Sequence, residues 1–393
     1  MDTTFLQFYT QIVKFIKKTK YYQDVFLLHF DFTATDNIEQ QIKNIKNKIS
    51  KKGKYCFVLG SQEPYAFIPE SKIPISFIKL ISSLHKYKIY GHDFIITNYM
   101  HNADKFSIDY YNKNAYGWHF ESLNLKIPTI TTIKQSQIKA TNNRDFNLDR
   151  IKYKISYLNF TQRMHRQLFS KFLIKYNLVK NNLVAINGNR DIHTRKKNEK
   201  IKLKTYTIKQ LTNDSFANYE GWLYNKNWLD IWKDIPLELS KHKDIDDVYD
   251  AVNCQFLQNA SINFVSETVF AYPYTFTSEK LVQPILAKRP FFLIGPAGSL
   301  KFLQKQGFKT FGRVLDESYD SIVDPNQRLE KLCELAQQIS KLSLEDTVNM
   351  VKELEPEITH NFNLMYSNIK NLQKNTMYSI IKYVNNRKNI NKR

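Results

Sequence analysis

The sequence predicts an α/β protein built from two consecutive units with parallel sheets, followed by C-terminal helices. Three observations carry that expectation. Short apolar or aromatic runs alternate with amphipathic ones over residues 24–98, the alternation stops across a polar stretch, and it then begins again.

Each element can be justified in turn. Asp24–Phe32 (DVFLLHFDF) and Lys54–Gly60 (KYCFVLG) are short, apolar and rich in branched or aromatic residues, as buried strands are. Between them, Asn37–Ile49 sets isoleucine at 38, 42, 45 and 49, the stripe of an amphipathic helix. Ile75–His85 reads as a second helix and Lys88–Asn98 as a third strand. Residues 110–150, rich in Asn, Lys and Thr and without clear period, mark the end of the first domain and the crossing into the next. The pattern restarts with a strand at Lys152–Phe160, a helix at Arg163–Tyr176 and a strand at Asn182–Asn187.

Residues 188–244 are polar and irregular, with a basic patch at Arg195-Lys196-Lys197 and tryptophans at 222, 228 and 232. Ser261–Ser266, Ser278–Ala287 and Pro290–Gly295 then read as strand, helix and strand. Pro325–Lys341 and Leu344–Lys374 follow as long helices before a basic tail. The expected domains are 1–145, 146–345 and 346–393, and no internal repeat of 20–50 residues is visible. Two such α/β units facing one another leave a cleft, a usual place for a ligand.

Composition narrows the class. Of 393 residues, 42% are hydrophobic and 24% charged, which is globular and not disordered. With only 10 Gly and 11 Pro, collagen-like and linker-like readings are excluded. Cys56, Cys254 and Cys333 are far apart and odd in number, offering neither a disulfide framework nor a CxxC metal site, so a reducing, cytoplasmic setting is expected. No run approaches the roughly 20 apolar residues of a membrane span, and the N-terminus lacks the pattern of a signal peptide. The expected protein is soluble, at most peripheral to a membrane. Its 58 Lys+Arg against 37 Asp+Glu give a net charge of +21, spread along the chain where a nucleic-acid binder usually concentrates it on one face.

The densest chemical signal is Ser261–Gly295, SINFVSETVFAYPYTFTSEKLVQPILAKRPFFLIG. Glu267 follows an apolar strand, and Glu279-Lys280 open a helix. Strand ends and helix starts are where α/β proteins place ligand contacts. Ser278 suits a helix cap, and the positive helix end with Lys280 beside it suits a phosphate. The same residues also fit a first-turn acid complementing the helix dipole and a solvated lysine.

This stretch resembles the donor-binding motif of the α-1,3-fucosyltransferases, glycosyltransferase family ten. The matching residues are Phe264-Val265-Ser266-Glu267, then Thr277-Ser278-Glu279-Lys280, then Arg289-Pro290-Phe291-Phe292-Leu293-Ile294-Gly295, in the family's order and spacing. The resemblance implies that Glu279 holds the ribose of the donor nucleotide, that Lys280 neutralises its diphosphate, and that Glu267 lies in the donor pocket. Phe276 stands where the family often has Tyr, so one polar contact is missing. Tyr157–Phe172 (YLNFTQRMHRQLFSKF) is similar to the family's first donor-domain strand and helix, which implies a diphosphate-binding arginine at Arg166, with Arg163 close behind. A guanidinium binds two phosphate oxygens at once, although a solvated basic helix face is the plainer alternative.

Phe57–Ala66 (FVLGSQEPYA) loosely resembles the family's Glu-bearing motif after a first-domain strand. Glu63 is therefore the candidate general base, with a turn residue before Pro64 as the alternative and Glu70, Asp93 and Glu121 as weaker candidates. Gly295-Pro296-Ala297-Gly298-Ser299-Leu300 has no lysine after its second glycine, so it reads as a turn into a helix and not as a Walker motif. Asp244-Ile245-Asp246 is a DxD triplet in a charged KHKDIDD run with no strand before it, and no metal is expected there.

Together these features imply a GT-B-like fold of two Rossmann-like domains facing a cleft. The activity implied is that of an inverting, fucosyltransferase-like glycosyltransferase. It would use a nucleotide sugar, a GDP-sugar by the resemblance, as co-substrate, with no cofactor and a glycan or other hydroxyl acceptor. The alternatives are a non-enzymatic protein whose basic surface binds nucleic acid or an anionic membrane, and a phage enzyme that glycosylates DNA.

Overall fold

The computed structural model describes residues 3–29, 37–49, 54–60, 67–68, 73–89, 93–97, 100–101, 119–122, 146–159, 163–186 and 254–390. The chain divides into two compact units, 1–132 with 368–393, and 133–367. The boundaries expected from the sequence are 145/146 and 345/346. Both units are mixed α/β with parallel sheets.

In the first unit, strands β1 (Asp24–His29), β2 (Tyr55–Gly60), β3 (Asp93–Thr97) and β4 (His119–Ser122) form a parallel sheet in the order of the sequence. Every crossover among these strands steps the same way, so the sheet has no reversal of order. Tyr55, Cys56, Phe57, Val58 and Leu59 of β2 are all buried, which explains the unbroken apolar run. Helix α1 (Thr3–Lys18) packs on β1 and β2 and buries Ile12 and Ile16. Helix α2 (Ile38–Lys46) buries the first two isoleucines of its stripe, Ile38 and Ile42, while Ile45 and Ile49 are half-buried. Helix α3 (Ile75–Lys86) packs against α2 and buries Phe77, Leu80 and Leu84, and Lys86 reaches Glu39 of α2 at 2.5 Å on the surface.

The second unit holds β5 (Tyr153–Asn159), α4 (Met164–Lys175), β6 (Leu183–Ile186), β7 (Ala260–Ser266), α5 (Glu279–Leu286) and β8 (Phe291–Ile294). Its parallel sheet has the order β8-β7-β5-β6. The chain builds β5 and β6 in one direction, then returns to lay β7 and β8 on the other side of β5. That reversal is the mark of a doubly wound sheet, and the crevice at the carboxyl ends of the two strands flanking it is where such sheets bind ligands. Here those strands are β5 and β7.

All seven residues of β7 are buried. Tyr157, Phe169, Phe264 and Phe292 form a chain of ring contacts from β5 through α4 to β7 and β8, with centroids 4.8, 5.4 and 4.9 Å apart. Each such ring, fully buried, stabilises the unit by about 1.5–3 kcal/mol. Leu183, Ala185, Phe256, Leu257, Ala260 and Ala287 make a further buried cluster.

After β8 come α6 (Ser299–Lys305), α7 (Pro325–Lys341), α8 (Leu344–Glu353) and α9 (Glu355–Ile390). The single helix expected over 344–374 is broken at Leu354. Pro356 lacks the amide that would continue the ladder, and proline is instead at home in a first helical turn. Among the described residues, no helix is long and apolar enough to cross a membrane.

Candidate functional site

The carboxyl ends of β5 and β7 are tied together by backbone carbonyls and buried donors. Helix α4 begins with Arg163 as its N-cap in extended conformation. Its first turns carry His165 and Arg166, both buried. Arg166 donates from Nε (3.1 Å) and Nη2 (2.7 Å) to the Glu267 carbonyl, and from Nη2 to the Ser266 carbonyl at 3.2 Å. His165 Nε2 lies 3.0 Å from the same Glu267 oxygen. A carbonyl only accepts, so Nε2 carries the proton. The carbonyl of Arg166 in turn accepts from the Tyr157 hydroxyl at 3.1 Å and from Ser170 Oγ at 2.7 Å. Burial pushes the Tyr157 phenol well above its ordinary range.

Glu267 is fully buried, and its carboxylate accepts from the Ser278 amide at 3.0 Å and from Ser278 Oγ at 2.5 Å. These bonds close the loop from 267 to 278 like a clasp. Ser278 is the N-cap of α5, as its sequence position suggested, and its hydroxyl oxygen accepts from the Lys280 amide at 3.4 Å. Lys280 Nζ lies 3.5 Å from the same oxygen.

The residues singled out in the sequence are thus distributed as follows. Arg166, Glu267 and Lys280 meet around the carboxyl end of β7, and Arg163 begins α4 beside Arg166. Glu279 opens α5, but its side chain is outside the described part. Glu63, Glu70 and Asp244-Ile245-Asp246 lie outside the described residues, as does the 188–244 region. Asp93 opens β3, and Glu121 lies in β4.

The resemblance gives Arg166 the donor diphosphate and Glu267 the donor pocket. In the structure both are buried, and the bonds described above go to the protein itself. A buried ion must be hydrogen-bonded, and the strand-end carbonyls and Ser278 do this from within the unit. Lys280 and Arg163 are only half-buried, so they are the cations of the group nearer to solvent.

The Gly298–Ser299 turn is a helix start, as its sequence indicates. Gly298, at φ +76°, makes the turn in the left-handed region that glycine adopts without strain. The first amides of α6 are taken by Asp320, whose carboxylate accepts from Leu300 at 2.9 Å and Lys301 at 3.2 Å. Burial, opposed by these amides, raises the Asp320 pKa. Glu317 holds the Phe311 amide at 2.6 Å, and the Tyr319 hydroxyl accepts from the Leu293 amide at 2.9 Å. The acidic, aromatic run 316–320 is therefore a set of loop braces.

Two buried arginines had not been anticipated. Arg289, within the motif segment, donates to the carbonyls of Gln258, Asn147 and Lys288, and burial lowers its pKa to about 10, with Arg150 nearby adding to the effect. Arg328, on α7, binds four carbonyls. It could have been found from its place on the apolar stripe of α7 with Leu329 and Leu332, where a charged residue must bring its partners inside.

Among the described residues, no group of three His, Cys, Asp or Glu is placed to hold a metal ion. In comparisons with known proteins, no family model, curated protein or solved structure matches this chain.

Proposed function

We propose that this protein is a glycosyltransferase that moves a sugar from a nucleotide sugar to a hydroxyl acceptor, most like an inverting fucosyltransferase. The observation that supports it best is the position of the motif-bearing segment. Residues 261–295 form β7, its loop, α5 and β8, beside the point where a doubly wound sheet reverses its strand order.

In this reading the second unit holds the donor, a GDP-sugar by the resemblance, and the first unit presents the acceptor in a GT-B-like pairing. Lys280 and Arg163 neutralise the diphosphate as charge grows on it, which is the main source of catalysis where no metal takes part. Arg166 and Glu267 act behind them, holding the strand end and the start of α5. Glu279 binds the ribose, and Glu63 takes the proton of the acceptor hydroxyl as it attacks the anomeric carbon. The transition state is oxocarbenium-like, as in glycoside chemistry generally.

Thermal denaturation in the presence of a panel of nucleotide sugars tests the reading. A ligand bound to the native state alone adds about 2.7 kcal/mol at a concentration one hundred times its Kd, so one nucleotide class should raise Tm and the others should not. A flat response across GDP-, UDP- and CMP-sugars would remove it. The net charge of +21 supports the rival reading of a nucleic-acid or anionic-membrane binder. That reading calls for DNA or vesicle affinity that falls steeply between low and moderate salt.

A further inference from the structure

The guanidinium of Arg328 lies 4.4 Å above the ring of Phe270. His165 is also stacked with that ring, at 5.4 Å between centroids and an interplanar angle of 15°. His165 in turn bonds the Glu267 carbonyl, so three side chains from α7, the 267–278 loop and α4 stand in one column.

The hydrogen bonds of Arg328 extend the same brace. Nη2 donates to the Phe270 carbonyl at 2.7 Å and Nε to the Gly295 carbonyl at 3.2 Å, while Nη1 donates to the carbonyls of Ile322 (2.6 Å) and Val323 (3.0 Å). Phe270 belongs to the loop after β7, Gly295 follows β8, and 322–323 precede α7. One planar cation therefore sets the mutual position of three segments at the carboxyl side of the sheet. The loop it grips is the one whose far end, through the Glu267–Ser278 clasp, carries Lys280.

We infer that Arg328, acting through Phe270 and His165, is a positioning residue for the donor loop and fixes where Lys280 and the start of α5 stand. This rests on the nucleotide-sugar reading above. The planar fork is essential: a lysine keeps the charge but cannot serve four carbonyls and stack on a ring at once. Preorganising a loop raises affinity by removing the cost of ordering it on binding. Loss of the brace should therefore weaken binding in protein that is still folded.

The test is calorimetric titration of GDP into the intact chain, well below the melting temperature, with circular dichroism as the check on folding. Wild-type protein should bind GDP. Arg328→Lys and Phe270→Leu should bind about 10-fold more weakly or worse. Leu332→Ala, a core truncation on the same helix, should lose stability yet bind as wild type does. If Arg328→Lys does not fold, Phe270→Leu decides. Wild-type affinity in the folded brace variants would overturn the inference while leaving the donor reading intact, and so would an equal loss in Leu332→Ala. No GDP binding by wild-type protein would overturn the assignment of a GDP-sugar donor, and the inference with it.

Discussion

Glu267 is the residue on which the local chemistry turns, because a fully buried carboxylate must be satisfied by neighbours. Both of its oxygens are bonded by Ser278, which also caps α5. Ser278→Ala removes a helix cap and strips one carboxylate oxygen of its donor, so the unfolding free energy should fall by about 2 kcal/mol in denaturant titration. Lys171 offers a second test at this scale. Burial lowers its pKa from 10.5 to about 8. The unfolded chain therefore binds more protons than the native one between those values, and stability rises with pH from about 8 to about 10.5, while below 8 the whole cost of charging the buried amine is present. The pH dependence of Tm should flatten over that window in Lys171→Met. An unchanged slope would mean that the amine is not held neutral.

At the scale of elements, ends with local chemistry were legible and ends set by distant partners were not. Helix α7 runs from Pro325 to Lys341, as its sequence indicates. Asp324 caps it, accepting from the Gln327 amide at 2.8 Å, proline takes the first turn, and a lysine closes the last one. The break at Leu354 was equally local and lay in Pro356. The cap of α6 was not legible, because Asp320 reaches back across 20 and 19 residues to the amides of Leu300 and Lys301. Asp320→Ala would leave those amides without their acceptor and should cost about 1–3 kcal/mol in chemical denaturation. The candidate site shows the same division. The strand–loop–helix order around Glu267 and Lys280 could be read directly. The inward direction of Arg166 and the existence of the Arg328 brace depend on carbonyls up to about a hundred residues away.

For the whole molecule, the four sheet strands of the second unit followed from alternating apolar runs, whereas β4 of the first lies at His119–Ser122 in a stretch without clear period, and the order of the strands was legible in neither. Only pairing shows that β7 lies against β5, with Phe264 opposite Tyr157 across more than 100 residues, while β6 takes the other side. The division into units is likewise non-local, since residues 368–393 group with 1–132. In the proposed reading, function at this scale is a division of labour, with the acceptor base on the first unit and the donor cations on the second. Glu63→Gln keeps the side-chain shape and removes its basicity. Turnover should fall by roughly 10²–10⁴ while affinity for GDP stays unchanged. Near-normal turnover would move the base elsewhere.

The most direct measurement is calorimetric titration of a GDP-sugar into wild-type protein and into Lys280→Met, with a chelator present. Saturable one-site binding is expected for wild type, weakened about 10- to 100-fold in the variant, as the loss of a charge-assisted bond to a phosphate requires. Wild-type protein that takes up no nucleotide sugar, or a Lys280→Met variant that binds it equally well, would contradict the assignment of this site to a sugar donor.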